Sequence, residues 1–532
     1  MKYPIGIQSF SQIIEDGYVY VDKTDLVYKL ATEGKIYFLS RPRRFGKSLL
    51  VSTLKAYFEG KHDLFKGLKI DALEEKWLEY PVFHLDLNAC NFVNADELRI
   101  VLEAFISTAE DKYGKSPNET SLGRRFAYVL KQAHEQTGRR AVVLIDEYDK
   151  PLLDVMETGY TITTSDGNTM LIEEYNRQLL KGFYSVFKLA DVDLQFVLLT
   201  GVTKFSQVSV FSGFNQPKDL GRDPRYDALC GITNNELVTY FDEPIRQLAE
   251  SSGVGYDEML SILKRRYDGY HFSEKMVDVY NPFSIINCFD SQKISDYWFA
   301  SGTPTYLMRL MANNDVNINE LISREYAEPE FLDFKADKQM PLPMLYQSGY
   351  LTIKGYKERR KKYKLDFPNE EVRSGMVTLL SANYFEETPL RKAWIDNVCD
   401  ALDEGDLDTF GKEITALFAG ISYRFREKNE MEYERHFQYS FYLIMLMIGQ
   451  YNTLAEKETS EGRIDCVMEC PDYIYIFEFK RDGSADKALQ QIDERGYAKP
   501  YVADSRPLYK VGVNFSTATG TIEEMKYELI ER

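Results

Sequence analysis

The apolar run Ile36–Ser40 reads as a buried strand, passes directly into Arg41-Pro-Arg-Arg-Phe-Gly-Lys-Ser48, and continues into the helix-like Leu49–Phe58. Strand, glycine-bearing loop and helix in that order are the setting of a phosphate-binding loop. Gly46 lets the backbone approach a phosphate, Lys47 can reach the outer phosphates, and Ser48 can ligate magnesium at a helix N-terminus. Arg43 and Arg44 add positive charge beside it. The general pattern departs at its first glycine position, which is Arg41 here.

A second strand, Ala141–Ile145, ends in Asp146-Glu147. Asp146 is placed to join the magnesium shell and Glu147 to orient or activate an attacking water. A third strand, Leu194–Thr200, ends at Thr200, whose hydroxyl can sense a terminal phosphate or simply open a turn with Gly201. With Val82–Leu87, these runs alternate with helix-length segments, which is the signature of a parallel α/β sheet.

At 532 residues the chain exceeds what one core organises, so several domains are expected. The boundaries read as an α/β domain over 1–225, a helical lid or adaptor over 226–335, a mixed connector over 336–405 and a small α/β domain over 406–532. In the connector, two strand-like runs flank the basic turn Lys357–Lys364, read as a solvated hairpin tip in preference to a nucleic-acid contact. No apolar run approaches the ~20 residues needed to span a bilayer, and the opening residues lack a signal-peptide layout. A cytoplasmic protein without a membrane partner is therefore expected.

The net charge of −18 argues against a surface broadly coated with cations. Six scattered cysteines, of which only Cys466 and Cys470 lie close together, predict neither disulfides nor a zinc site. The five histidines show no ligand spacing.

Near the C-terminus Asp465 precedes an apolar run, and Tyr473–Phe477 leads into Glu478-Phe479-Lys480. Side chains two apart share one face of a strand, so Glu478 and Lys480 converge, and Asp465 can reach them from a neighbouring strand. Paired carboxylates bind magnesium, with manganese a possible substitute, and the lysine can position water and stabilise a charged phosphate transition state. Glu434, opening a helix over 434–449, is a candidate supporting ligand or an exposed first-turn acid. Gln490, on the following helix, is a candidate phosphate or metal contact. The predicted order here is α-β-β-α-β.

Several stretches together resemble the AAA-ATPase-like family found beside nuclease domains in bacteria: Tyr20–Thr24, Arg41–Ser48, Leu144–Asp149, Thr200–Lys204 with Phe211–Phe214, and Tyr267–Tyr270 with Tyr280–Phe283. Arg41 belongs to that family pattern. The last ~110 residues resemble the PD-(D/E)XK nuclease superfamily, with Asp465, Glu478 and Lys480 at its core positions and Gln490 at its helix position. The resemblance implies a P-loop NTPase parallel sheet with a helical lid, followed by a small restriction-endonuclease-like α/β domain. It implies ATP binding and hydrolysis coupled to magnesium-dependent cleavage of nucleic acid, DNA foremost. The alternative is a nucleotide-operated switch in defence or stress signalling whose nuclease-fold domain does not cut. Such ATPases often assemble into homo-oligomers and take an arginine from a neighbour. Arg265 and Arg266 are among the candidates, and none is singled out.

Overall fold

The computed structural model describes all residues except 95, 165–166, 205–216, 302–305, 308, 310–317, 333–340, 385–389, 420–440, 442–443, 445–451, 460–461, 517, 520 and 531–532. The chain divides into two compact units, Met1–Arg373 and Ser374–Arg532.

The first unit is built on β1 (Ile36–Ser40), β2 (Val82–Asp86), β3 (Ala141–Asp146), β6 (Leu194–Gly201) and the short β7 (Lys218–Asp219). They pair in the order β2-β3-β6-β1-β7, and every pairing is parallel. All six residues of β3 are buried, as expected for a central parallel strand covered on both faces. The crossovers include α1 (Lys47–Phe58), α2 (Glu97–Tyr113), α3 (Leu122–Thr137) and α4 (Ile172–Tyr184). A small hairpin, β4 (Thr161–Thr163) with β5 (Thr169–Leu171), precedes α4.

Three helices follow the sheet: α5 (Asn234–Ser252), α6 (Tyr256–Tyr267) and α7 (Pro282–Ser291). Thr233 opens α5 with a reciprocal capping box to Glu236. Pro244 lacks the N–H that would bond back to residue 240, and the helix kinks at Phe241, whose φ is −128°. The apolar faces of these helices meet through Leu237, Phe241, Ile245, Met259, Leu263 and Phe289. The region expected to be helical also holds a two-residue strand, β8 (Glu325–Tyr326). The predicted basic hairpin forms as β9 (Thr352–Lys357) and β10 (Lys362–Asp366).

The second unit is a five-stranded sheet in the order β11-β12-β13-β14-β15: Asn452–Thr459, Gly462–Glu469, Ile474–Arg481, Leu508–Ser516 and Thr521–Leu529. Only β13 and β14 are parallel, joined by a crossover that carries α8 (Ala485–Glu494). Ile464, Val467, Ile474, Ile476, Ile492 and Leu508 form a core under that crossover. Two strands, β11 and β15, exceed the predicted set. They are the edges of the sheet, and sequences such as Thr-Ile-Glu-Glu-Met-Lys-Tyr-Glu-Leu hide their alternation beneath charge, as edge strands commonly do. The helix expected over 434–449, with Glu434, lies almost wholly outside the described residues.

Candidate active sites

The phosphate loop leaves β1 and turns into α1 at Gly46, whose φ of 92° is a left-handed conformation natural to glycine. Lys47 is 4% exposed and folds back on the loop, its Nζ donating to the carbonyls of Arg41 (3.1 Å) and Pro42 (3.2 Å). Its distance to Glu147 Oε1 is 4.0 Å. Ser48 is half-buried at the helix start, and Arg43 and Arg44 are exposed.

Arg41 has a physical account. Its guanidinium is buried, donates to the carbonyls of Gly221 (2.8 Å) and Tyr226 (3.1 Å), and lies 3.9 Å from the ring centre of Phe272. Where the general pattern uses a glycine against phosphate, this chain uses a cation that pins the loop to the segment following β7. The later helices also close on the loop: Trp298 Nε1 donates to the carbonyl of Arg43 (3.1 Å), and Arg44 lies over Phe283.

At the end of β3, Asp146 is 3% exposed, and its Oδ1 accepts the Thr200 hydroxyl and the Glu147 N–H. Thr200 is fully buried, so it positions Asp146 from behind and does not line the cavity. Glu147 has φ 55°, a strained setting for a non-glycine residue that costs on the order of 1 kcal/mol. Its side chain lines the cavity.

Asp149, given no role from the sequence, clamps β3 to β6. Its Oδ2 accepts from the N–H of Val202 (3.0 Å) and from the N–H (2.6 Å) and hydroxyl (2.7 Å) of Thr203. Burial, with Glu147 nearby, pushes its carboxyl up to about 6. Gly201 permits this approach, since a Cβ there would lie 2.5 Å from Asp149 Oδ1. The only available signal was the last acid of Asp-Glu-Tyr-Asp.

Gly46, Lys47, Ser48 and Glu147 line a cavity of about 590 Å³, with Asp146 and Asp149 set behind its wall, a size suited to a nucleotide. Its lining includes Arg43, Arg44, Lys47, Lys150 and Arg309 against Glu147 and Asp154. Five cations against two carboxylates invert the sign of a chain whose net charge is −18. Arg309 donates to the carbonyls of Leu153 and Asp154, while its Nε is buried without a partner among the described residues. Arg265 pairs with Glu370 and Arg266 with Asp296, and neither lines the cavity.

In the second unit, Asp465 on β12 and Glu478 with Lys480 on β13 come together. Asp465 Oδ2 accepts the N–H of Phe479 (2.9 Å), and Lys480 Nζ lies 3.3 Å from Glu478 Oε1. Glu478 is 2% exposed, and its Oε2 has no hydrogen-bond partner among the described residues. Burial, reinforced by the charge of Asp465, pushes its carboxyl up to about 7. An orphaned carboxylate oxygen beside a second carboxylate fits a hard divalent cation. Among the described residues no cluster of three or more His, Cys, Asp or Glu forms a ligand set, and Glu434 lies outside them.

The helix position is corrected by one residue. Gln490 points outward to Glu494 (2.7 Å), whereas Gln491 donates to Glu478 Oε1 and accepts from Lys480 Nζ (2.6 Å). Successive residues on a helix differ by ~100° in direction, so only one of two adjacent glutamines can face the sheet.

The family model described as a predicted AAA-ATPase matches residues 4–211, and that of the PD-(D/E)XK nuclease superfamily matches 432–525. A protein of Azotobacter chroococcum, "Uncharacterized protein in vnfD 5'region", is 34% identical over 522 residues, covering 97% of this chain and 96% of its own. Among solved structures, the Aeropyrum pernix ORC1 protein in complex with DNA aligns over 70% of this chain and 96% of its own, at 12% identity and a TM-score of 0.24. Near full-length likeness to the Azotobacter protein and two matched domain models lead to one conclusion: the chain belongs to the bacterial family that joins an AAA-ATPase-like domain to a C-terminal PD-(D/E)XK nuclease superfamily domain.

Proposed function

We propose that the chain binds and hydrolyses ATP in its first unit and cleaves phosphodiester bonds of nucleic acid, DNA foremost, in its second. The observation that carries the reading is Glu478, a buried carboxylate whose free oxygen stands beside Asp465 and Lys480. The cation-lined cavity around Lys47 supports the ATP half.

In the first unit Lys47 exchanges the carbonyls of Arg41 and Pro42 for phosphate oxygens, and Arg43, Arg44 and Arg309 offset the remaining charge. Glu147 orients the attacking water, and Ser48 with Asp146 are the residues to hold magnesium. In the second unit Asp465 and Glu478 are the cation ligands, and Lys480, held by Gln491, positions the nucleophilic water against the phosphate. A bound magnesium or manganese supplies charge neutralisation of the phosphate and a more acidic water at both sites.

The test is cleavage of labelled single- and double-stranded DNA and RNA by the full chain with magnesium or manganese, with and without ATP, beside Lys47→Ala and Lys480→Ala. Cleavage disappears in Lys480→Ala while ATP turnover persists, and its response to ATP disappears in Lys47→Ala. Cleavage that survives in Lys480→Ala overturns the assigned site. Absence of cleavage from every substrate, with ATP still bound, favours the nucleotide switch.

A further inference from the structure

The segment after the cavity-lining residues has a topology that neither family match covers. A helix (Ile318–Ser323), β8, a helix (Glu328–Leu332), a helix (Leu342–Gln347), β9, a tight tip and β10 follow one another, and the strands pair in the order β8-β10-β9. β10 is antiparallel to both neighbours, with Tyr363 opposite Tyr326 on one side and Tyr356 on the other. Helix, strand, two helices and a hairpin whose last strand inserts beside the first is the winged-helix arrangement, and β9–β10 is its wing.

Residues 354–364 hold seven cations (Lys354, Lys357, Arg359, Arg360, Lys361, Lys362 and Lys364) against Glu358, in a chain of net charge −18. Three of the seven are engaged: Lys354 donates to the carbonyls of Gly269 and Pro368, Lys357 pairs with Glu325, and Lys362 pairs with Glu330. Arg359, Arg360, Lys361 and Lys364 are exposed, and their side chains make no ion pair or hydrogen bond with the described residues. Lys361 takes a left-handed φ of 50°, which makes the tip tight and crowds its charges together. Lys364 faces Gly355 on β9 and Glu325 on β8, and the Glu325 carboxylate is paired with Lys357.

Concentrated like charge on a hairpin is unfavourable for folding alone, and it suits a polyanion. The helix Leu342–Gln347, which occupies the place of a groove-reading helix, is the apolar sequence Leu-Pro-Met-Leu-Tyr-Gln and is buried in all but Tyr346. Gln347 Oε1 accepts the N–H of Lys204, so this helix packs inward toward the end of β6. Base reading is thereby excluded from it, and the wing is left to contact phosphates. We propose that the exposed cations of the β9–β10 wing form a sequence-independent site for the nucleic-acid backbone, separate from the nuclease site.

The test measures binding of two unrelated labelled DNA duplexes across a salt series, using the full chain with Lys480→Ala to prevent cleavage. It is repeated after adding R359A/R360A/K361A/K364A. Loss of four phosphate contacts lowers the slope of log affinity against log salt by about 3 to 4 and weakens binding at physiological salt by on the order of 10²- to 10³-fold, equally for both sequences. The charge-keeping R359K/R360K/K364R variant retains the original slope, which separates charge from folding. An unchanged slope in the alanine variant overturns the site, as does absence of measurable DNA binding by the parent. A variant that loses polyglutamate binding but keeps DNA binding overturns it too, in favour of an acidic protein partner. Because cleavage is not the readout, failure here is distinct from failure of the nuclease assignment.

Discussion

At the scale of single residues, Glu478 sets the most specific expectation. A carboxyl raised to about 7 holds its proton at pH values where the free side chain has lost it. Without metal, the folded protein therefore binds a proton that the unfolded chain releases, and this site's contribution to stability falls as pH rises from the ordinary carboxylate range to about 7. A divalent cation requires the ionised form, so its binding expels that proton and moves the titration downward. Cleavage measured under single-turnover conditions at limiting magnesium should rise with pH through a midpoint near 7 and level off above it. The midpoint should move to lower pH as magnesium is raised. A midpoint indifferent to magnesium would show that Glu478 is not a ligand.

At the scale of elements, α8 decides which glutamine serves the site. Gln491→Ala removes the group that joins Glu478 to Lys480, and loss of a positioning contact of this kind is expected to slow cleavage by about 10- to 100-fold. Gln490→Ala removes only an exposed bond to Glu494 and should leave cleavage within about twofold of the parent, as for most surface changes. The same rates, with the roles reversed, would put the helix register in error. The sequence made strand β13 legible because period two is rigid: Glu478 and Lys480 must share a face. It left the helix ambiguous because Gln490 and Gln491 are adjacent and the angular phase depends on where α8 begins. The parallel strands β1, β2, β3 and β6 were readable as apolar runs between turns. The edges β11 and β15 were not, because charged residues interrupt their sequences, and Asp149 was missed because its role exists only once β3 and β6 lie side by side.

At the scale of the whole molecule, the two candidate sites fall in different units. Every residue lining the nucleotide-sized cavity falls at or before Arg309, and the carboxylates, lysine and glutamine of the nuclease-fold site fall between Asp465 and Gln491. The first set belongs to the unit Met1–Arg373 and the second to Ser374–Arg532. No helix among the described residues is long and apolar enough to cross a membrane. Each unit has its own apolar core, through Leu237 and Phe241 in the first and Ile464 and Ile476 in the second, so the chain should not unfold as a single two-state system. A ligand that binds one native unit stabilises that unit by mass action, by about 2.7 kcal/mol at a hundredfold excess over its dissociation constant. In calorimetric unfolding of the full chain, a non-hydrolysable ATP analogue without divalent cation should therefore raise one transition, and Lys47→Ala should abolish the shift. Manganese without nucleotide should raise the other, and that shift should disappear in Glu478→Gln. If either ligand raises both transitions together, the two units unfold as one, and nucleotide and metal are thermodynamically linked through the native chain.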